Sequence, residues 1–131
     1  MYLAAMRKVL LAMFLAACTH KAPEPAAVTV DQVDQALAKG AVQPVDANGD
    51  VTRKREGVIP GAILLTDSEA FTLAELPADK GKPLVFYCAN THCSASHEAA
   101  RKAITAGYQH VEVMPEGIAG WIKAGKKTQS I

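Results

Sequence analysis

The run Leu84-Val85-Phe86-Tyr87 constrains this chain more than any other stretch. Apolar residues in unbroken succession, with no polar alternate, mark a strand buried on both faces. Such a strand belongs inside a parallel sheet, and parallel neighbours are joined by helical crossovers that cover the faces. The residues that follow agree. Cys88 ends the run, Ala89-Asn90-Thr91-His92 make a short polar loop closed by Cys93, and Ser94 opens an Ala-rich helical segment reaching Ala106. Ala95, Ala99, Ala103 and Ala106 recur at spacings of three and four, a small-residue face that can press closely on a sheet. Gly107 stops the helix. A thiol is thereby delivered to a strand–loop–helix junction, where loop N–H groups and the positive end of a helix both favour an anion.

The rest of the chain continues the alternation. Val28-Thr29-Val30 reads as a strand, and Asp31 as the N-cap of a helix through Lys39, with Val33, Ala36 and Leu37 on one face and Gly40 as the stop. Residues 41–46 read as a second strand, Asn48-Gly49 as a turn and residues 51–56 as a polar connection. Residues 58–65 read as a turn leading into a strand, 68–76 as a short helix and 80–83 as a loop. Residues 110–114 form a strand with Val111 and Val113 on one face and Glu112 on the other, and a short helix over 117–124 carries Trp121 into the core. The fold class expected is α/β: three layers, a central, mainly parallel sheet with helices on both faces.

Length and composition narrow the function. A chain of 131 residues allows one domain, half of it hydrophobic and 21% charged, which argues against disorder. Net charge is +1, with no basic block and only one Trp and three Phe to stack on bases, so nucleic-acid binding is set aside. The first residues read as an export signal. Arg7 and Lys8 form a basic start, and residues 9–17 are an apolar stretch too short to span a bilayer. Leu15-Ala16-Ala17-Cys18 resembles the bacterial lipobox. That resemblance implies cleavage before Cys18, lipid on Cys18, and a protein anchored in the bacterial cell envelope facing the periplasm. Thr19 rather than Asp follows Cys18, which favours the outer membrane over the inner. Losing Arg7 and Lys8 turns the net charge from +1 to −1, so lipid and not charge would hold the protein at a membrane. The organisation expected is a signal peptide over 1–17, a Pro/Ala-rich tether over 18–27 and one domain over 28–127. With Cys18 lipidated, Cys88 and Cys93 remain. In an oxidising compartment such a pair is a disulfide, a redox couple or a metal site.

The distributed motifs resemble those of the rhodanese-like domain family. Val45-Asp46 is similar to its strand-end Asp. Gly57-Val58-Ile59-Pro60-Gly61-Ala62 is similar to its Gly-His-Ile-Pro-Gly-Ala segment, with Val58 in place of His. Val85-Phe86-Tyr87-Cys88 matches the strand that ends in the nucleophile, and residues 94–107 match the helix after the active loop. Gly117-Ile118-Ala119-Gly120-Trp121 with Ala124-Gly125 is similar to the closing Gly-rich turn and Trp helix. The resemblance implies that Cys88 is a nucleophile accepting a sulfane sulfur as a persulfide, with Ala89, Asn90, Thr91, His92 and Ser94 as the substrate- or anion-binding loop. It implies a small sulfur donor and a thiol acceptor as partners, no cofactor, and a monomer. The loop from Cys88 to Cys93 is six residues long, the length of the sulfurtransferase members. The related phosphatases use a seven-residue loop ending in Arg.

Three further positions depart from the family pattern. Cys93 stands where many sulfurtransferases have a loop Arg, Thr91 where they often have Gly, and Asn48 where the Asp-x-Arg element carries Arg. Thiosulfate is a dianion, and two missing guanidinium groups remove its electrostatic partners unless Arg53, Lys54, Arg55 or Arg101 reaches the site. Cys93 brings a different chemistry, since it can resolve a persulfide or sulfenate on Cys88. Two further readings stand beside sulfur transfer. One is a non-catalytic binding or scaffold module with a structural Cys88–Cys93 disulfide. The other is a soft-metal module for copper or zinc built from Cys88, His92, Cys93 and His97. Residues 46–50 superficially resemble a calcium loop but lack its Gly at position six and its closing Glu, so a polar turn is the better reading. Glu98 and Glu116 have no paired carboxylate at useful spacing, which leaves glycosidase chemistry without support.

Overall fold

Leu84–Tyr87 forms the central strand of a parallel sheet. The structure, a computed structural model, describes residues 23–131; the signal segment and Cys18 lie outside the described residues. In chain order the elements are β1 (Ala26–Ala27), α1 (Val30–Ala38), β2 (Gln43–Asp46), α2 (Asp50–Glu56), β3 (Ile63–Leu64), a 3-10 turn (Leu73–Glu75), β4 (Leu84–Tyr87), α3 (Ala95–Thr105), β5 (Val111–Val113) and α4 (Gly117–Lys123). Five strands pair in the order β1-β5-β4-β2-β3, all parallel. β4 lies between β2 and β5, with Phe86 level with Val45 on one side and Val113 on the other.

Alternation along the strands sorts side chains into two cores. Leu84, Phe86 and Cys88 join Val45, Ala47 and Val113 under α3, whose Ala99, Ala100 and Ala103 are wholly buried. The small-residue face is what permits this closeness. Val85 and Tyr87 point the other way, to Val30 and Val33 of α1, Ile118 and Trp121 of α4, and Ile59. Both faces of the sheet are thus covered, the condition that an unalternating apolar strand requires. Among the described residues no helix is long and apolar enough to cross a membrane.

The structure differs from the sequence expectation at four places. The first strand is Ala26–Ala27 rather than residues 28–30, so the last two residues of the expected tether belong to the sheet. Thr29, not Asp31, caps α1. Its hydroxyl accepts from Gln32 N–H at 3.2 Å while Gln32 Oε1 accepts from Thr29 N–H at 2.9 Å. This reciprocal capping box satisfies two orphan amides at once, where Asp31 would have satisfied one. Residues 51–56 are helical, starting after Gly49 with Asp50 in the first turn and Arg53, Lys54 and Arg55 in the last. Those charges complement the helix dipole. The helix over 68–76 reduces to the 3-10 turn Leu73–Glu75, because Asp67 Oδ1 accepts from Glu69 and Ala70 N–H and holds a local turn instead.

Candidate active site

β4 carries Cys88 to the C-terminal edge of the sheet, and the backbone there is pinned on two sides. Ala47 N–H donates to Tyr87 C=O at 2.9 Å. From the other side the start of α4 clamps the loop, Ile118 N–H donating to Cys88 C=O at 2.9 Å and Ala119 N–H to Ala89 C=O at 3.0 Å. Gly117 makes that clamp possible. Its φ is +63°, and a Cβ there would lie 2.6 Å from the Cys88 carbonyl oxygen and 2.7 Å from the Ala89 carbonyl carbon. A side chain would meet backbone on a left-handed turn, so only glycine fits without displacing the loop.

The loop closes on itself. Asn90 Oδ1 accepts from His92 N–H at 2.9 Å, and Asn90 C=O accepts from Cys93 N–H at 3.1 Å. This turn brings Cys93 back over Cys88, and the two sulfurs are joined as a disulfide with the Cα atoms 6.3 Å apart. That separation lies inside the range of about 4.4–6.8 Å that a disulfide can bridge. Cys88 is 2% exposed, whereas Cys93 is partly exposed between exposed His92 and exposed Ser94. Ser96, in the first turn of α3 and fully buried, places its hydroxyl 3.2 Å from Cys88 Sγ, where it donates to the sulfur. Ala89, Asn90 and Thr91 form the outer wall of the loop. Asn90 and Thr91 line a cleft of about 310 Å³ with Glu116, Ala119, Gly120 and Lys123.

Sequence reasoning did not single out Ser96. The signal was present: at the spacing of a helix it shares the buried stripe of Ala99, Ala100 and Ala103, and a hydroxyl in an apolar stripe must find a partner. Two amides expected to cradle an anion, those of His92 and Cys93, are instead bonded to Asn90.

The arginines that could replace the missing loop Arg are all engaged elsewhere. Arg53 Nε donates to Asp46 Oδ1 at 3.1 Å, and Nη2 donates to the carbonyls of Asp46 and Leu65, each at 2.9 Å. Asp46 Oδ1 also accepts from Asn48 N–H at 2.7 Å, and Asp46 Oδ2 accepts from Tyr87 O–H at 2.7 Å. Tyr87 Oη in turn accepts from Ile59 N–H at 3.0 Å. Burial first, and then the Asp46 carboxylate, push the Tyr87 phenol far above its ordinary value, so it stays a donor. This network hangs from Asp46 and Tyr87, whose side chains lie on the sheet face opposite to Cys88. Arg53 therefore organises the strand ends from below and offers no charge to the sulfur. Arg55 pairs with Glu56, Lys54 is exposed, and Arg101 makes a two-pronged contact with Glu24, its Nη2 lying 3.0 and 3.1 Å from the two carboxylate oxygens. Among the described residues no group of three or more His, Cys, Asp or Glu side chains converges as a metal site, so the set Cys88, His92, Cys93 and His97 is not brought together. The two sulfurs are bonded to each other instead.

Comparison with known proteins agrees with this fold. The family model for the rhodanese-like domain matches residues 29–124. Among solved structures, a Bacillus halodurans protein, BH2092, is similar at 22% identity, covering 80% of this chain and 77% of its own, with a TM-score of 0.71. The rhodanese-like domain of the Anabaena protein Alr3790 is similar at 24% identity, covering 83% of this chain and 81% of its own, with a TM-score of 0.67. An Escherichia coli 3-mercaptopyruvate sulfotransferase, SseA, is similar at 20% identity over 82% of this chain and 51% of its own, with a TM-score of 0.66. A search of curated proteins returned no match. The parallel sheet, the cysteine at the end of its central strand and a family match over most of its length agree: this chain belongs to the rhodanese-like domain family.

Proposed function

We propose that this protein accepts a sulfane sulfur on Cys88 and that Cys93 resolves the resulting persulfide. The Cys88 thiolate attacks the outer sulfur of a donor such as an organic persulfide, R–S–SH, and the R–S⁻ thiolate leaves. Cys88 then carries the extra sulfur. Either an acceptor thiol takes that sulfur, or the Cys93 thiolate attacks Cys88 Sγ, forms the Cys88–Cys93 bond and expels HS⁻. In the second course the sulfane sulfur is reduced to sulfide and two thiols are oxidised to one disulfide, which balances. The observation that carries the reading is the bonded pair itself, a buried cysteine on the strand end joined to a half-buried one at the loop's far end. All three arginines of the described residues are held by carboxylates, which disfavours a dianion such as thiosulfate as donor.

The test is sulfur loading of the reduced protein. Cyanide-labile sulfur should appear after exposure to a persulfide donor and vanish in Cys88→Ser. Sulfide should be released by the wild type, whereas Cys93→Ser should retain its persulfide. Absence of labile sulfur after persulfide, polysulfide and thiosulfate treatment would sink the proposal. A second reading, a binding module with a permanent disulfide, is favoured by the burial of Cys88. A pair that resists mild reductant would select it. Lipid on Cys18, attachment to the outer membrane and a periplasmic setting complete the proposal, and the intact mass of the mature protein reads lipidation and disulfide state together.

A further inference from the structure

The two sulfurs of the disulfide are not equivalent, and the difference assigns them separate duties. Cys88 is 2% exposed and packs in the core under α3 with Ala47, Ala99 and Val113. Cys93 is half-buried at the edge of the same core, on a loop whose neighbours on either side, His92 and Ser94, are exposed. Thiol–disulfide exchange requires the attacking sulfur to come in line with the bond it breaks, so access to the attacked sulfur decides the site. The leaving group decides it in the same direction. The Ser96 hydroxyl stands 3.2 Å from Cys88 Sγ, at the N-terminal turn of a helix of 11 residues. Both features stabilise a thiolate on Cys88. The Cys93 carbonyl oxygen also lies 3.4 Å from Cys88 Sγ, but among the described residues no hydroxyl or amide donor meets the Cys93 sulfur, so a thiolate expelled there gains no such support.

We propose that the disulfide is opened by an external thiolate that attacks Cys93 Sγ and expels Cys88, making Cys93 the entry point of a thiol reductant. The reductant's sulfur bonds to Cys93 Sγ, the Cys93–Cys88 bond breaks, and its electron pair leaves on Cys88 as thiolate. A second thiol then attacks the reductant's sulfur of that mixed disulfide and expels the Cys93 thiolate. The reductant ends oxidised as a disulfide, and Cys88 and Cys93 end reduced, taking protons from solvent. The chemistry is the same for a small monothiol and for a protein dithiol. This rests on the redox pair of the proposed function but not on sulfur loading. The division also filters by size: a small sulfane donor reaches the recessed Cys88 of the reduced site, and a bulky thiol meets Cys93 first.

The experiment treats the oxidised protein briefly with glutathione, quenches with iodoacetamide, and locates each adduct by tandem mass spectrometry. Glutathione should sit on Cys93 and the alkyl group on Cys88, by at least tenfold over the reverse. In a parallel arm, thioredoxin with its second active-site cysteine replaced should be trapped on Cys93. Faster opening by intact thioredoxin than by glutathione at equal thiol would identify a protein source, and equal rates a small one. Adducts mainly on Cys88 would overturn the proposal, as would a disulfide that neither thiol opens. Sulfur loading of chemically reduced protein, run alongside, fails only if the proposed function fails.

Discussion

At the scale of single residues, the candidate site turns on an asymmetry between two identical side chains. Cys88 is held by the core and by Ser96; Cys93 is held by the turn that Asn90 makes. A hydrogen bond to a charged group contributes roughly 1.5–3 kcal/mol, and about half of a leaving thiolate's stabilisation is felt at the transition state. Ser96→Ala is therefore expected to slow glutathione opening of the disulfide by about fivefold. Stopped-flow thiol release would measure it, and a purely packing role for Ser96 would leave the rate unchanged. The thiol pair was legible in the sequence because both cysteines flank a short loop. The identity of Ser96 as the partner was not, since a serine near a helix start reads first as a cap, and only the burial of its face reveals the inward direction.

Elements place these residues, and one glycine and one arginine carry much of the placement. Gly117→Ala would strain a left-handed position and push on the Cys88 and Ala89 carbonyls. The left-handed backbone alone costs about 1–2 kcal/mol, and urea unfolding should show at least that loss. Arg53 anchors α2 beneath the strand ends through a buried pair with Asp46, the two being 5% and 0% exposed. Removing one partner of such a pair leaves an uncompensated charge, so Arg53→Ala is expected to cost about 3–5 kcal/mol. The exposed Arg55–Glu56 pair is the internal control, and Arg55→Ala should cost about 1 kcal/mol or less. The same arginine explains why residues 51–56 read as a polar connection. The helix buries a guanidinium instead of an apolar stripe, so the usual 3.6-residue periodicity is missing. Its dipole-matched charges, acidic first and basic last, were the available signal. By contrast, β4 and α3 were legible because an unalternating run and a small-residue stripe each have few ways to be buried.

For the whole molecule, the disulfide contributes little to the fold, since it closes a loop of sequence separation 5. The chain-entropy model gives about 2 kcal/mol for so short a loop. Reduction should lower the unfolding free energy measured in urea by that amount, and the domain should remain folded in both states. A collapse of structure on reduction would instead favour the permanent-disulfide reading. The direction of β1 has a consequence of its own. β1 runs parallel to β5 and β4, so the chain enters the sheet from the end opposite to the one where Cys88 emerges. Glu24, before β1, is clasped by Arg101 well down α3. With lipid on Cys18, the seven residues 19–25 would span at most about 25 Å between bilayer and sheet. The protein would then stand on the membrane by its lower pole, like a lamp on a short stem, with the sulfur pair turned toward whatever diffuses past above.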